Sequence, residues 1–135
     1  MSIQFGWGNA EPDTLHLTLE GRWTWDEALE YARLCHDQVK ASILPMYFIV
    51  EHRHAAWLPG GFNTNLANLL QYYHPNTHAV LVVTSSRLLI ELLYGFNMLT
   101  EPLPFRFQIM DNVVVAHHWI ADYRVSNYIR QTQPR

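Results

Sequence analysis

The sequence predicts an α/β fold, a single-domain mixed five-stranded sheet with about four helices. Three observations carry this. "MYFIV" (residues 46–50) and "AVLVV" (residues 79–83) are unbroken apolar runs, as expected of central strands buried on both faces. "TLHLTL" and "FRFQIM" alternate apolar with polar residues, as strands with one covered face do. Segments with apolar residues at helical spacing separate and follow these runs. The predicted order, ββαβαβαβα, requires crossover connections and a layered architecture.

Each element has its own justification. "IQFGW" places Ile3, Phe5 and Trp7 on one side, and "TLHLTL" places Leu15, Leu17 and Leu19 on one side; together they predict a hairpin across the "NAEPD" turn. Gly21 lets the chain turn into a helix whose start is marked by the Thr24/Glu27 capping box. Trp25, Ala28, Leu29, Ala32, Cys35, His36 and Val39 form its apolar stripe. Pro45 then precedes the first continuous strand. "NTNLANLLQYYHP" predicts a second helix, with Asn63 as N-cap, Pro75 as stop, and Phe62, Leu66, Leu69, Leu70 and Tyr73 facing inward. Ser85 or Ser86 caps a third helix over about 87–99, with Leu88, Leu89, Leu92, Phe96 and Leu99 inward. After "EPLP", Phe105, Phe107 and Ile109 share one strand face. Asp111 or Asn112 caps a last helix with a stripe of Val115, Ala116, Trp119, Ile120 and Tyr123.

Composition narrows the function classes. A chain of 135 residues with 49% hydrophobic and 16% charged residues is long and apolar enough for one real core, and is not a disordered segment. Residues 1–135 read as one domain, with 124–135 as a frayed tail. A net charge of -3 without a basic block argues against nucleic-acid binding. One cysteine, Cys35, rules out an intrachain disulfide and fits a cytoplasmic setting. No signal-peptide pattern or bilayer-length apolar run is present, so membrane insertion is not expected.

The element order resembles the SpoIIAA-like branch of the STAS superfamily. So do "LEGRWTWDEALEYA", the "AVLVVTSS" strand leading into a helix, and the closing "FRFQIMDNVVVAHHWI". The resemblance covers roughly Ile3 to Tyr123. It implies a non-enzymatic regulatory or protein-interaction domain of the bacterial signalling type. The broad fold is also similar to that of CRAL-TRIO lipid-transfer domains, which implies the alternative of a carrier or sensor for a small apolar ligand or lipid. Anti-sigma-factor antagonists carry a phosphorylatable D-x-S at a helix start. The matching stretch here, "HRHAAWLPGGFNTN", lacks it, and its nearest hydroxyl is Thr64. The usual phosphorylation switch is therefore not expected.

Catalytic and metal-binding chemistry find little support. His52 and His54 share a strand face, with Glu51 on the other, but no zinc spacing surrounds them, and surface histidines are the expectation. Cys35 lies on an apolar stripe, where an inert thiol is expected. Ser85 and Ser86 lack a nucleophile elbow and read as caps. No cofactor, metal or catalytic residue is expected.

Binding has two carriers. Trp57, Leu58 and Phe62 make the loop after "MYFIVEHR" unusually apolar, at the carboxyl end of a parallel strand where sites tend to lie. Trp57→Ala is expected to remove capture of a ligand or partner with little loss of stability. Ile90, Tyr94 and Met98 add apolar surface outside the inward stripe of the third helix, which predicts a homo-oligomer, a dimer by the usual symmetry. The expected binding set is thus Trp57, Leu58, Phe62, Thr64, His52, His54, Ser85 and Ser86.

Overall fold

The computed structural model describes residues 3–8, 11–53, 56–99 and 103–132, with side chains at 98, 99 and 128–132 left aside. The elements follow the predicted order: β1 (Ile3–Trp7), β2 (Thr14–Leu19), α1 (Trp25–Ala41), β3 (Met46–His52), α2 (Phe62–Leu70), β4 (Thr77–Val83), α3 (Arg87–Leu99), β5 (Arg106–Met110) and α4 (Val113–Thr132). One five-stranded sheet runs in the order β1-β2-β3-β4-β5. β1 is antiparallel to β2, and β2 to β5 are mutually parallel. "MYFIV" and "AVLVV" are therefore interior strands.

The strand order is sequential, so each right-handed crossover steps the same way and leaves its helix on the same face. The core divides accordingly. Phe62 of α2 and Leu89, Leu93 and Phe96 of α3 pack with Val82, while Cys35 and Val39 of α1 pack with Leu15 and Met46. On the opposite face, Ala116 and Ile120 of α4 pack against Tyr47, Ile49, Ala79, Leu81 and Val83.

Helix starts follow local chemistry. The Thr24 hydroxyl accepts from the Glu27 amide at 3.2 Å, and Gly21 turns the preceding chain at φ 53°. Ser86, not Ser85, caps α3 by accepting from the Leu89 amide at 3.2 Å. Asn112, not Asp111, caps α4 through the Val114 amide at 2.7 Å. α2 begins earlier than expected. Its cap is Gly61 in the left-handed region (φ 71°), and Asn63 lies inside the helix. The helix also ends at Leu70, well before Pro75.

Two apolar stripes are also corrected. Leu88 is 58% exposed, and Leu93 takes the inward position that it was expected to share. Val115 is 49% exposed, while Val113 packs inward instead. One residue moves each stripe by 100°, and in the leucine-rich α3 adjacent apolar pairs leave the phase weakly marked. α4 continues to Thr132, through the segment expected to fray.

α4 is fastened by charge as well as by packing. Arg124 donates to Asp13 from Nε at 2.5 Å and from Nη2 at 2.6 Å, and its guanidinium lies 5.8 Å from the Tyr47 ring centroid. These bonds raise the Arg124 pKa above its ordinary value. They join the last helix to the residue that precedes β2. Arg124→Met keeps the apolar stem and removes the fork; it is expected to cost about 2 kcal/mol, measured as a lower urea midpoint at unchanged slope.

Candidate functional site

The pleat and the register together build one continuous apolar floor. β2 presents Leu15, Leu17 and Leu19, which pair with Phe48, Val50 and His52 of β3. Phe48 and Val50 pair in turn with Val80 and Val82 of β4, and these with Phe107 and Ile109 of β5. Paired residues share a face, so across these four strands a platform without a charged side chain lies under α1, α2 and α3.

The three helices do not fill the space above it. α2 has nine residues and spans about 13 Å, against about 23 Å for the seven-residue strands that it connects. α1 turns the small side chains of Ala28 and Ala32 toward the floor. The result is a cavity of about 260 Å³ between sheet and helices. Trp23, Trp25 and Cys35 line it on the α1 side; Phe62, Leu66 and Leu69 belong to α2, and Leu89, Leu93 and Phe96 to α3. Tyr73, Leu103 and Phe105 line the end near the strand starts. Among the described residues, none that lines it is Asp, Glu, Lys or Arg.

Tyr73, Thr77 and Asn97 also line the cavity, and a second polar group lies at the carboxyl end of β3. His52 is 6% exposed and lines the cavity. Its Nε2 lies 3.4 Å from the Trp57 carbonyl oxygen and its Nδ1 lies 3.5 Å from the Thr84 hydroxyl. A carbonyl only accepts, so Nε2 carries the proton and Nδ1 accepts from Thr84. Burial, partly offset by the Trp57 carbonyl, lowers the His52 pKa and holds the ring neutral. Trp25 donates its indole N–H to the Gly60 carbonyl at 2.7 Å. Trp23 packs edge-on against Trp25 with centroids 5.0 Å apart, and its own Nε1 is buried without a hydrogen-bond partner among the described residues. Leaving such a donor unmade costs about 1–3 kcal/mol.

The expected binding residues separate into groups. His52 and Phe62 line the cavity. Leu58 packs partly buried against the α2–α3 cluster. Trp57 is 52% exposed, with the Arg22 guanidinium 5.2 Å from its ring centroid. Its backbone joins the loop to the β2–α1 turn through the Gly21 carbonyl, at 2.6 Å. Thr64 is exposed in the first turn of α2, Ser85 is exposed, and Ser86 is a cap. His54 lies outside the described residues, as does the side chain of Met98. Ile90 is half-buried and Tyr94 is 59% exposed.

His52 is a correction to the surface reading of the histidines, since it sits inside the apolar layer. Trp23 is a residue that sequence pattern misses. It lies in a turn with no period, and the only signal was a second tryptophan beside a helix start.

Two outcomes are expected from this arrangement. Trp57→Ala keeps the backbone bonds and removes a half-exposed ring, so thermal unfolding should register a loss of about 1 kcal/mol or less. For His52, the folded pKa lies below the unfolded value near 6.5, so the unfolded chain binds more protons as pH falls below that value. Stability is complete above it and is lost on acidification through the interval down to the lowered pKa. His78 and His117, lowered first by burial, contribute in the same direction. Urea midpoints compared at about pH 7.5 and about pH 5.5 should drop in the wild type, and by less in His52→Gln. No family model, curated protein or solved structure matches this chain, so the residues of the cavity themselves carry its interpretation.

Proposed function

We propose that this domain is a non-enzymatic binding module that holds a small apolar molecule between its sheet and its three crossover helices, as a carrier or sensor. The observation that carries this is the volume and lining of the cavity. A space of about 260 Å³ with almost wholly apolar walls leaves that surface uncovered in the empty protein, and an apolar occupant would remove it from water. Water is a poor filler, because it needs two to four polar partners and the walls offer few. An apolar ligand recovers the lost contacts. The Cys35 thiol on the wall supports a non-catalytic role, since burial pushes its pKa up to about 12 and keeps it protonated.

The element order on which the STAS resemblance rests is that of the structure, which supports a SpoIIAA-like assignment. Protein contact is the second reading. It is favoured by exposed Leu88 and Tyr94 on α3 and by exposed Trp57. Arg87 and Glu91 interrupt that α3 surface. Light scattering at high micromolar concentration decides the dimer that this reading expects, and a monomer removes it.

The cavity reading is tested by Ala32→Leu. Its added methylenes enter the void, so the empty protein should gain about 2 kcal/mol of stability. Headspace partition of octane onto the protein should fall by tenfold or more. A wild type that takes up no octane, and a variant that is destabilised by overpacking, would together falsify the site.

A further inference from the structure

We propose that the imidazole of His52 makes occupancy of the cavity proton-dependent: an apolar occupant is held while Nδ1 of His52 is unprotonated and is released when Nδ1 takes up a proton. This rests on the reading of the cavity as a ligand site and adds its regulation. His52 is the one histidine among the described residues that lines the cavity, and it is 6% exposed. Both of its ring nitrogens are engaged. The Nε2 proton points at the Trp57 carbonyl, and Nδ1 accepts from the Thr84 hydroxyl, which itself accepts from the Ser86 amide at 3.0 Å. A proton added at Nδ1 turns that acceptor into a donor and takes from the Thr84 hydroxyl proton its acceptor.

The added charge matters more than the lost bond. An imidazolium on a largely apolar wall needs water or an anion beside it. Among the described residues, no carboxylate lines the cavity to serve as that anion. Glu51 and Arg53 flank His52 in the chain and share the opposite sheet face. There Glu51 pairs with His16 at 2.9 Å, and Arg53 lies 3.3 Å from Glu51 and 3.4 Å from Glu20. Leu19 stands opposite His52 on β2. The other titratable side chains among the described lining residues are Cys35 of α1 and Tyr73, which follows α2. Burial pushes the Cys35 pKa up to about 12, so that thiol stays neutral. Burial is also the main influence on His52, lowering its pKa, and the Trp57 carbonyl opposes it. Water must therefore enter the cavity to solvate the charge, and an apolar occupant excludes that water. Proton and occupant compete for one space, and each weakens the binding of the other by the same factor.

The test is headspace partition of octane onto the wild type and His52→Gln, from about pH 7.5 downward for as long as the near-UV circular dichroism of the folded domain persists. The His52 pKa lies below its ordinary value in the empty fold and lower still in the occupied one. Wild-type uptake should therefore fall with pH through that interval, by about threefold or more. In His52→Gln it should stay within about twofold over the same range. His78 and His117 also have lowered pKa values, but neither lines the cavity, so any dependence that they impose persists in the variant. The wild type supplies a second readout that does not depend on the variant folding. With octane present, the His52 ring protons should titrate lower by about 0.5 in pH or more, while those of His78 and His117 titrate as before. Octane uptake that does not change with pH, an equal fall in the variant, or a His52 titration that octane leaves unmoved overturns the proton dependence while the cavity reading stands. Loss of the fold before His52 titrates overturns it too, since release would then be unfolding. If the wild type takes up no octane at about pH 7.5, the cavity reading itself fails, and this inference with it.

Discussion

The single-handed crossover is the constraint on which the rest of this molecule depends. Four parallel strands laid down in sequence place three helices on one face, and only a helix that follows the last strand can reach the other. The two faces are therefore built under different rules. One helix, α4, lies alone across β3, β4 and β5 and packs closely through Ala116 and Ile120. On the other face three helices must share one sheet, and the middle one is too short to cover its strands. A cavity at the centre of that face is the geometric consequence of a nine-residue α2 and of Ala28 and Ala32 on α1.

Polar chemistry divides along the same line. On the α4 face, His16 pairs with Glu51 at 2.9 Å, Asp13 with Arg124, and Tyr47 lies under the Arg124 guanidinium. These contacts hold β1–β2, the sheet centre and the last helix in one register. Among the described residues, the cavity face has no comparable ties across its floor. At the carboxyl ends of its strands, the loop carbonyls of Trp57 and Gly60 orient His52 and Trp25. The apolar loop is thus a support for cavity side chains, working through its backbone, while the Trp57 ring itself faces outward.

The sequence made the sheet legible because strand period is a strong signal. Continuous runs marked β3 and β4 as interior, and alternation fixed which residues of β2 and β5 share the floor. Helix phase was less legible. In α3 the run "LLIELLY" has only Glu91 among its apolar residues, too little polar marking to separate the roles of Leu88 and Leu93. A cavity was not legible at all, since it is a deficit of volume spread over five strands and three helices, and each wall residue taken alone is an ordinary core residue. His52 escaped for a related reason. Its partners, the Trp57 carbonyl and the Thr84 hydroxyl, come from chain segments 5 and 32 positions away.

The walls of the cavity are also unequal in how firmly they are held. α1, α3 and α4 each begin with a side-chain cap, from Thr24, Ser86 and Asn112. α2 begins at Gly61 with no side-chain cap bond, which relative to a Ser or Asn cap forgoes roughly a few tenths of a kcal/mol. α2 is also the shortest helix, and its exposed side is made of Asn63, Thr64, Ala67 and Asn68, which add no ion pairs. Local opening takes the least free energy where a segment has few buried contacts and weak ends. By both measures α2 is the least anchored wall, and it lies over the middle of the floor. The same short crossover that creates the space thus leaves it roofed by the element most easily displaced.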